Sequence, residues 1–295
     1  MLRIDKVAGR DTLMESEIPF LKVFKKGKVR EVYELGAYLL IVATDRLSAF
    51  DVVMKSGIPH KGVYLTKQSS FWFKFLNQKG YLTHFVTDDI AEMAKLTGEK
   101  RLCDLPWLKG RAMLGKKAEL VPVEAVCRFR VFGSAVPALK EKKWIWDAPE
   151  IDGEIKEGAL IKNGPIFTPT EKSETDDKIS FEQMVKIVGD KARAEEIKNK
   201  TVEIFRIVND HAQKTFNFEI ADGKIEWGLH GNELMLIDET FTSDSARFMP
   251  DKSKEFFRSW LKDHNLKGQA VALPDEVAMA VADLYAAQCR AMRIL

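Results

Sequence analysis

Residues 219–239 read EIADGKIEWGLHGNELMLIDE, and this stretch decides the fold. Two runs rich in apolar residues flank Gly231-Asn232, a dipeptide typical of a tight turn between antiparallel strands. The stretch therefore predicts a β-hairpin. Folding the second strand back at this turn places Asp238 within about one residue of the position opposite Glu226.

The first strand of this hairpin has two chemically different faces. Side chains alternate between the faces of a strand, so Asp222, Lys224 and Glu226 share one face. Ile225 and Trp227 take the opposite face, which must pack on a hydrophobic core. The strand therefore carries an acid, a base and an acid in a row, backed by apolar side chains.

The acidic residues of the hairpin have two interpretations. Carboxylates that converge beside a buried sheet repel each other unless a cation lies between them. Mg²⁺ binds one or two carboxylates together with phosphate oxygens. Glu226 and Asp238 are therefore candidate magnesium ligands, because the apolar run before Asp238 ends abruptly in acids. The alternative is an exposed hairpin face with alternating charges.

The remaining sequence predicts an α+β fold with mainly antiparallel sheet. Strand-like runs occupy 21–44, are extended by 50–62, and begin again near residue 121. The polar stretch 141–180 predicts long surface loops. Apolar residues at three- and four-residue spacing predict helices at 65–77, 180–197, 201–217, 251–265 and 275–293.

Composition argues against several classes of protein. The chain has 295 residues, 46 basic and 44 acidic, and its net charge of +2 gives no electrostatic argument for a nucleic-acid or membrane partner. Cys103, Cys127 and Cys289 show no CxxC spacing, which argues against a disulfide framework or a zinc site. The start resembles no secretory signal, and no apolar run approaches the roughly 20 residues of a membrane helix. We expect a soluble cytoplasmic protein.

Two glycine-containing segments are candidate phosphate sites. In KKGKVREVY, a glycine turn flanked by Lys25, Lys26, Lys28 and Arg30 is suited to cover a polyphosphate; the alternative is an ordinary hairpin with a solvated basic tip. Gly110–Lys116 has the Walker A spacing GRAMLGK. However, Lys117 stands where Ser or Thr would bind magnesium, and a strand-like run follows. A P-loop is therefore not predicted.

Three further segments carry polar side chains suited to an anionic substrate. CRFRVFGSA has Arg128 and Arg130 on one strand face and Gly133-Ser134 at its end, which fits either a phosphate receptor or a surface arginine pair. DETFTSDSARF forms a polar turn after the acidic strand end. FTPTEKSETDD is a loop rich in hydroxyls and charges, suited to order over a substrate.

Seven segments of this chain occur together in one order. They are KGKVREVY, VATDRLSAFD, SGIPHKGVYLTKQS, PVEAVCRFRVFGSA, PIFTPTEKSE, IADGKIEWG and LIDETFTSDSARF. Through them the chain resembles the longer form of the phosphoribosylaminoimidazole-succinocarboxamide synthase (SAICAR synthase) family.

The resemblance implies an α+β enzyme of two lobes with a cleft between them. The nucleotide-binding lobe would be 1–115, and the larger substrate- and metal-binding lobe, with the C-terminal helices, would be 116–295. The implied ligands are ATP, Mg²⁺, carboxyaminoimidazole ribotide and L-aspartate. ATP phosphorylates the ribotide carboxylate, and the amine of aspartate then displaces phosphate to form an amide in purine biosynthesis. We expect a monomer or homodimer.

The resemblance also implies roles for individual residues. The implied ATP-binding residues are Lys26, Gly27, Lys28, Val29 and Arg30. The implied catalytic residues are Lys224 and Asp222, and the implied metal ligands are Glu226 and Asp238. The implied substrate-binding residues are Asp45, Arg46, Ser48, Asp51, Arg128, Ser134, Thr170, Lys172, Asp176, Ser245 and Arg247.

Some positions depart from the family pattern. Arg130 replaces an aromatic residue, and Gly223 replaces a threonine of the acidic strand. On the substrate loop, Thr175, Asp177 and Lys178 replace His, Glu and Asn. These changes leave the charged residues of the acidic strand intact.

Two other functions compete with the ligase. One is a different ATP-dependent phosphoryl transferase, such as a small-molecule kinase on a related two-lobed fold. The other is a nucleotide-binding regulatory protein without turnover. The intact row of Asp222, Lys224 and Glu226 argues against a pure binding protein, which does not need that face.

Overall fold

The computed structural model describes residues 2–151, 153–173, 177–250 and 253–295. The chain divides into two compact units. The first comprises Met1–Phe75, His84–Lys117 and Lys252–Leu295, and the second comprises Leu76–Thr83 and Ala118–Asp251. Among the described residues, no helix is long and apolar enough to cross a membrane.

Strands and helices alternate irregularly along the chain. The strands are β1 Arg3–Val7, β2 Arg10–Glu15, β3 Val23–Lys26, β4 Arg30–Leu35, β5 Tyr38–Ala43, β6 Arg46–Ala49, β7 Val52–Gly57, β8 Phe85–Thr87, β9 Ala112–Lys116, β10 Glu119–Arg128, β11 Ile166–Phe167, β12 Thr170–Glu171, β13 Glu219–His230, β14 Glu233–Ile237 and β15 Ala246–Met249. The helices are α1 Lys61–Gln78, α2 Ile90–Thr97, α3 Ala135–Lys140, α4 Phe181–Val188, α5 Lys191–Phe216, α6 Ser253–Asp263 and α7 Asp275–Ala291.

The first unit is built on an antiparallel sheet in the order β3-β4-β5-β9-β8. Its first three strands are the predicted meander. Burial alternates along β4, where Glu31, Tyr33 and Leu35 are buried. Tyr33 and Leu35 pack with Leu40 and Leu114 in the core of this unit. The alternation fixes which face of the sheet is apolar.

The run at 50–62 does not extend that sheet. Instead, β7 pairs with β6 in a separate two-stranded sheet. Leu47 and Met54 of these strands pack with Leu261 of α6 and Tyr285 of α7 in one hydrophobic cluster. The C-terminal helices therefore belong to the first unit, whereas the division made from the sequence assigned them to the second lobe.

The second unit is built on an antiparallel sheet in the order β11-β10-β13-β14. β12 also pairs with β10, and β15 pairs with β13. Ile225 and Trp227 of β13 are buried, and the Trp227 indole Nε1 donates to Thr201 Oγ1 of α5 at 2.9 Å. The prediction that these side chains pack on a core is confirmed, and so is the α+β fold with mainly antiparallel sheets.

The boundary between α4 and α5 differs from the predicted one. α4 ends at Gly189, whose φ of +77° is the left-handed conformation that glycine adopts at low cost. α5 begins after Asp190, whose carboxylate accepts from the Ala192 amide at 2.8 Å and caps the helix. The predicted gap after residue 197 is wrong, because the continuous apolar stripe of α5 starts at this cap.

Asp45 connects three segments of the first unit through a buried carboxylate. It accepts from the amides of Leu13 at 2.7 Å and Gly62 at 2.8 Å. The same carboxylate pairs with Arg111 at 3.1 Å. It therefore fixes β2 and the first turn of α1 to the residue that precedes β9.

We expect Asp45→Ala to lower the free energy of unfolding by about 3–5 kcal/mol, because Arg111 would remain buried without its counter-ion. Glu34→Ala is the matched control, since the Glu34 carboxylate pairs with Lys22 at the surface and such pairs contribute little. Urea denaturation of both variants measures the difference. Equal effects of the two substitutions would contradict the connecting role of Asp45.

Candidate active site

A row of charged side chains lies on adjacent strands β10 and β13. The opposed pairs are Glu124 with Glu226, Val126 with Lys224, and Arg128 with Asp222. We call the five charged side chains of these pairs the charged face. Residues directly opposite each other on antiparallel strands point to the same side. The predicted row of Asp222, Lys224 and Glu226 is therefore joined by Glu124 and Arg128.

The acidic hairpin has the register expected from its turn. Glu226 pairs with Ile237, and Asp238 follows immediately with a φ of +69°. Burial and the neighbouring charge of Asp238 raise the pKa of Glu226 to about 7. The two carboxylates are therefore close enough to disfavour ionisation of each other. The predicted register is confirmed, whereas the binding of a metal ion by these residues stays a prediction.

Lys224 is paired with Glu124 across the sheet. The Lys224 ammonium donates to Glu124 Oε1. Burial alone lowers the pKa of Lys224, but Glu124 and then Glu226 outweigh this effect and raise it above its ordinary value. Lys224 is therefore held as a cation. Sequence reasoning missed Glu124, although its even spacing from Arg128 on one strand was a usable signal.

Lys172 forms the corresponding ion pair at Glu226. Its ammonium contacts Glu226 Oε1, and the two side chains are only 20% and 7% exposed. Thr170, two residues earlier on β12, donates its hydroxyl to Glu124 Oε2 at 3.3 Å. The structure thus brings the predicted Thr170 and Lys172 to the charged face.

Two arginines share the carboxylate at the other end of the charged face. Arg128 Nη1 lies 2.7 Å from Asp222 Oδ2, and Arg247 Nη1 of β15 lies 2.7 Å from the same oxygen. Arg128 also donates from Nε to Thr168 Oγ1 at 3.1 Å. Both guanidinium groups are largely buried. Asp222 therefore orients two cations, and a direct catalytic role for it stays a prediction.

The serines of the predicted ribotide site lie in turns beside these arginines. Ser134 precedes α3, and its carbonyl accepts from the Lys178 ammonium at 3.0 Å. Ser245 Oγ accepts from the Thr242 amide at 3.1 Å and shapes the turn before β15. A Cβ atom at Gly133 would lie 3.0 Å from the guanidinium of Arg247, so glycine allows a close approach there.

The departures from the family pattern have structural explanations at two positions. Arg130 does not join Arg128, because the Phe129 and Arg130 amides both donate to the Ala221 carbonyl and interrupt the alternation. Arg130 pairs instead with Glu219 at 2.9 Å. A Cβ atom at Gly223 would lie 3.0 Å from the Cβ of Ala246, so β15 approaches β13 closely at this point.

The glycine turn of the first unit joins β3 to β4. The Gly27 amide donates to the Arg30 carbonyl at 2.7 Å and closes the turn. The Arg46 guanidinium stabilises this turn by donating to the carbonyls of Gly27 at 2.9 Å and Lys28 at 3.0 Å. These bonds fix the backbone of the predicted nucleotide-binding turn. Lys26 on β3 is exposed.

The DRxSAxD segment has both buried and exposed members. Asp45 is fully buried, and Arg46 bonds Glu31 and the turn, so the structure gives both a scaffolding role. Their contact with substrate stays a prediction. Ser48 is half-buried on β6, and exposed Asp51 pairs with Lys28 at 2.6 Å. The Asp51 backbone is left-handed, with a φ of +64°.

Three sequence predictions about further ligand sites have different outcomes. The Walker-like Gly110–Lys116 forms β9 from Ala112 onward, so no P-loop is present there. Asp176, the remaining predicted substrate-binding residue, lies outside the described residues. Within the described part of the chain, no group of three or more His, Cys, Asp or Glu side chains is arranged to hold a metal ion.

The comparisons with known proteins agree with each other. A family model described as SAICAR synthetase matches residues 23–274. The phosphoribosylaminoimidazole-succinocarboxamide synthase of Geobacter sulfurreducens is 36% identical, over 93% of this chain and 95% of that protein. The enzyme of the same name from Candida albicans is 35% identical, over 93% of this chain and 94% of its own length.

A solved structure has the same fold over nearly its whole length. The SAICAR synthase of Saccharomyces cerevisiae, in complex with SAICAR, superimposes with a TM-score of 0.79 at 32% identity, covering 96% of this chain and 97% of that one. The family model spans most of the sequence, and it includes the glycine turn as well as the charged face. On these findings the chain belongs to the SAICAR synthetase family.

Proposed function

We propose that this chain is an ATP-dependent ligase of de novo purine biosynthesis, which joins the carboxylate of carboxyaminoimidazole ribotide to the amine of L-aspartate. The products are SAICAR, ADP and phosphate. Family membership over most of the chain supports this function. The observation that carries it is the charged face, where a partly buried cation, Lys224, pairs with Glu124 and lies near Glu226.

The chemistry needs positioning and charge neutralisation more than an acid or base. A carboxylate is a poor acyl donor, and transfer of the γ-phosphoryl group of ATP to it creates a leaving group. Negative charge spreads over the phosphoryl oxygens during this transfer. Lys224, kept charged by its two carboxylate neighbours, would stabilise that charge.

Glu226 and Asp238 fit a magnesium site. Mg²⁺ is commonly held by one or two carboxylates, with phosphate oxygens completing its coordination. Burial and then the charge of Asp238 raise the pKa of Glu226, and a divalent cation would relieve the repulsion between the two carboxylates. When bound, the ion would neutralise nucleotide phosphates. Glu226 and Asp238 would hold it, and the backing by Ile225 and Trp227 would keep them in place.

Arg128 and Arg247 would bind the phosphate of the ribotide. Two guanidinium groups share the carboxylate of Asp222, so positive charge exceeds negative charge among these three side chains. Paired guanidinium groups suit the oxygens of a phosphate monoester. Binding of ATP phosphates by the turn of Gly27 and Lys28, a cytoplasmic location, and a monomer or homodimer remain predictions.

An omission assay tests the reaction. ADP release is measured with the ribotide, ATP and L-aspartate present together, and again with each left out in turn. We expect phosphate release to require aspartate or to be far faster with it. A kinase would instead release ADP and accumulate a stable phosphorylated product without aspartate, and a regulatory protein would release no ADP under any condition.

Lys224→Met tests the cation of the charged face. We expect kcat to fall by at least about 100-fold, because removal of one electrostatic stabiliser typically costs 10²–10³ in rate. Lys214→Met, which removes an exposed lysine of α5 that pairs with Asp210, should leave kcat unchanged. The coupled ADP assay measures both variants. Wild-type turnover in Lys224→Met would remove this lysine from catalysis.

Glu226 also gives stability a defined pH dependence. Its pKa is raised from 4.5 to about 7, so the folded state holds this proton more tightly than the unfolded state does. The stabilisation is complete below pH 4.5 and is lost as the pH rises through 7. Between pH 5 and 8, we expect the wild type to lose about 1–3 kcal/mol relative to Glu226→Gln.

Chemical denaturation across this pH range measures the effect. Glu219→Gln is the control, because Glu219 lies on the same strand and pairs with Arg130 away from Glu226. This control should keep the pH slope of the wild type. An unchanged slope in Glu226→Gln would mean that Glu226 titrates outside this range.

A further inference from the structure

Lys172 lies beside Glu226, one of the two carboxylates proposed as magnesium ligands. Its ammonium contacts Glu226 Oε1, and its side chain is four-fifths buried. Glu226 has Asp238 as a like-charged neighbour, and the charge of Lys172 offsets part of that repulsion. Lys172 is therefore the counter-ion of a carboxylate that the proposed function assigns to Mg²⁺.

Lys224, the lysine of the charged face, is held more firmly than Lys172. Lys224 lies within the twelve-residue strand β13 and pairs with Glu124, so its backbone is bonded on both sides. Lys172 follows the two-residue strand β12, and its amide donates to the Pro122 carbonyl at 3.1 Å. Its backbone is tied to the edge of β10, while its flexible side chain carries a point charge without fixed geometry.

A divalent cation bound at Glu226 competes with the Lys172 ammonium for the charge of the same carboxylate. Mg²⁺ binds oxygen at about 2.0–2.1 Å, and its two charges attract the carboxylates more strongly than one ammonium does while repelling that ammonium. The ion therefore displaces Lys172 rather than Lys224, whose partner is Glu124.

Building on the proposed function, we propose that Lys172 is a positioning residue that exchanges with the divalent cation. It neutralises Glu226 until the cation binds, and its ammonium then moves to an anionic group of the substrates. The bonds of Thr170 to Glu124 and of the Lys172 amide to Pro122 keep the released ammonium beside the charged face. Loading of the metal thereby adds a cation for substrate binding.

Binding of Mn²⁺ alone to the full chain tests the exchange without any turnover. Free Mn²⁺ is measured by electron paramagnetic resonance for the wild type, Lys172→Met, Lys172→Arg and Lys186→Met. We expect Lys172→Met to bind Mn²⁺ about tenfold more tightly, because the competing charge is gone. Lys172→Arg keeps the charge and should bind like the wild type. Lys186→Met, an exposed lysine of α4, should also match it.

The wild-type protein provides a second readout that needs no substitution. Acetylation of lysines by an N-hydroxysuccinimide ester is followed by mass spectrometry with and without saturating Mn²⁺. We expect the rate at Lys172 to rise several-fold with Mn²⁺, because a released amine reacts faster, while the rate at Lys224 stays constant. A Lys172 rate that is unchanged or lower with Mn²⁺ overturns the exchange.

The binding results are equally decisive. Equal or weaker Mn²⁺ binding by Lys172→Met, or no Mn²⁺ binding by any of the four proteins, also overturns the exchange. Neither measurement depends on the ligase reaction. Tighter binding with a negative omission assay would leave the exchange standing and reject the proposed function, whereas the reverse combination would reject only the exchange.

Discussion

The structure of the second unit depends on the pairing of buried charges along β13. Its apolar side chains, Ile225 and Trp227, are fixed against α5, so the opposite face cannot turn away to gain water. Asp222 and Glu226 are nearly as buried as the apolar residues. Charges in such a position are stable only with partners. Opposite charges come from Arg128 of β10, Arg247 of β15 and Lys172 after β12, and these pairings hold those segments at this face.

The sequence predicted this hairpin well because all of its information is local. Alternation set the two faces, and Gly231-Asn232 set the register that brings Asp238 next to the residue opposite Glu226. Glu124 was missed because its importance comes from pairing with a strand about a hundred residues later. The position of Arg130 was also hidden, since one carbonyl that accepts two amides changes the strand alternation without a sequence signal.

Motif residues of the first unit divide into those that shape the predicted site and those that can reach a ligand. A match to a family motif does not distinguish scaffolding residues from ligand-binding residues, because both kinds belong to the motif. Burial and bonding separate them. Asp45 and Arg46 bond backbone groups and the buried side chains of Arg111 and Glu31, respectively, and Arg46 also holds the turn of Gly27 and Lys28. Asp51 is exposed and pairs with Lys28, so an anionic ligand would compete for that lysine.

The two ends of the charged face differ in net charge. At the arginine end, Arg128 and Arg247 both pair with Asp222, and among these three side chains positive charge is in excess, which suits a phosphate. At the other end, the lysines 172 and 224 face the carboxylates 124, 226 and 238, which leaves an excess negative charge when all are ionised. A divalent cation that binds there while Lys172 stays beside the charged face reverses the sign at that end. The lysine end of the charged face would then repel phosphates before the cation binds and attract them afterwards. The arginine end would bind an anionic substrate with or without the cation. One strand can therefore position the anionic substrate at all times and the nucleotide only together with its metal.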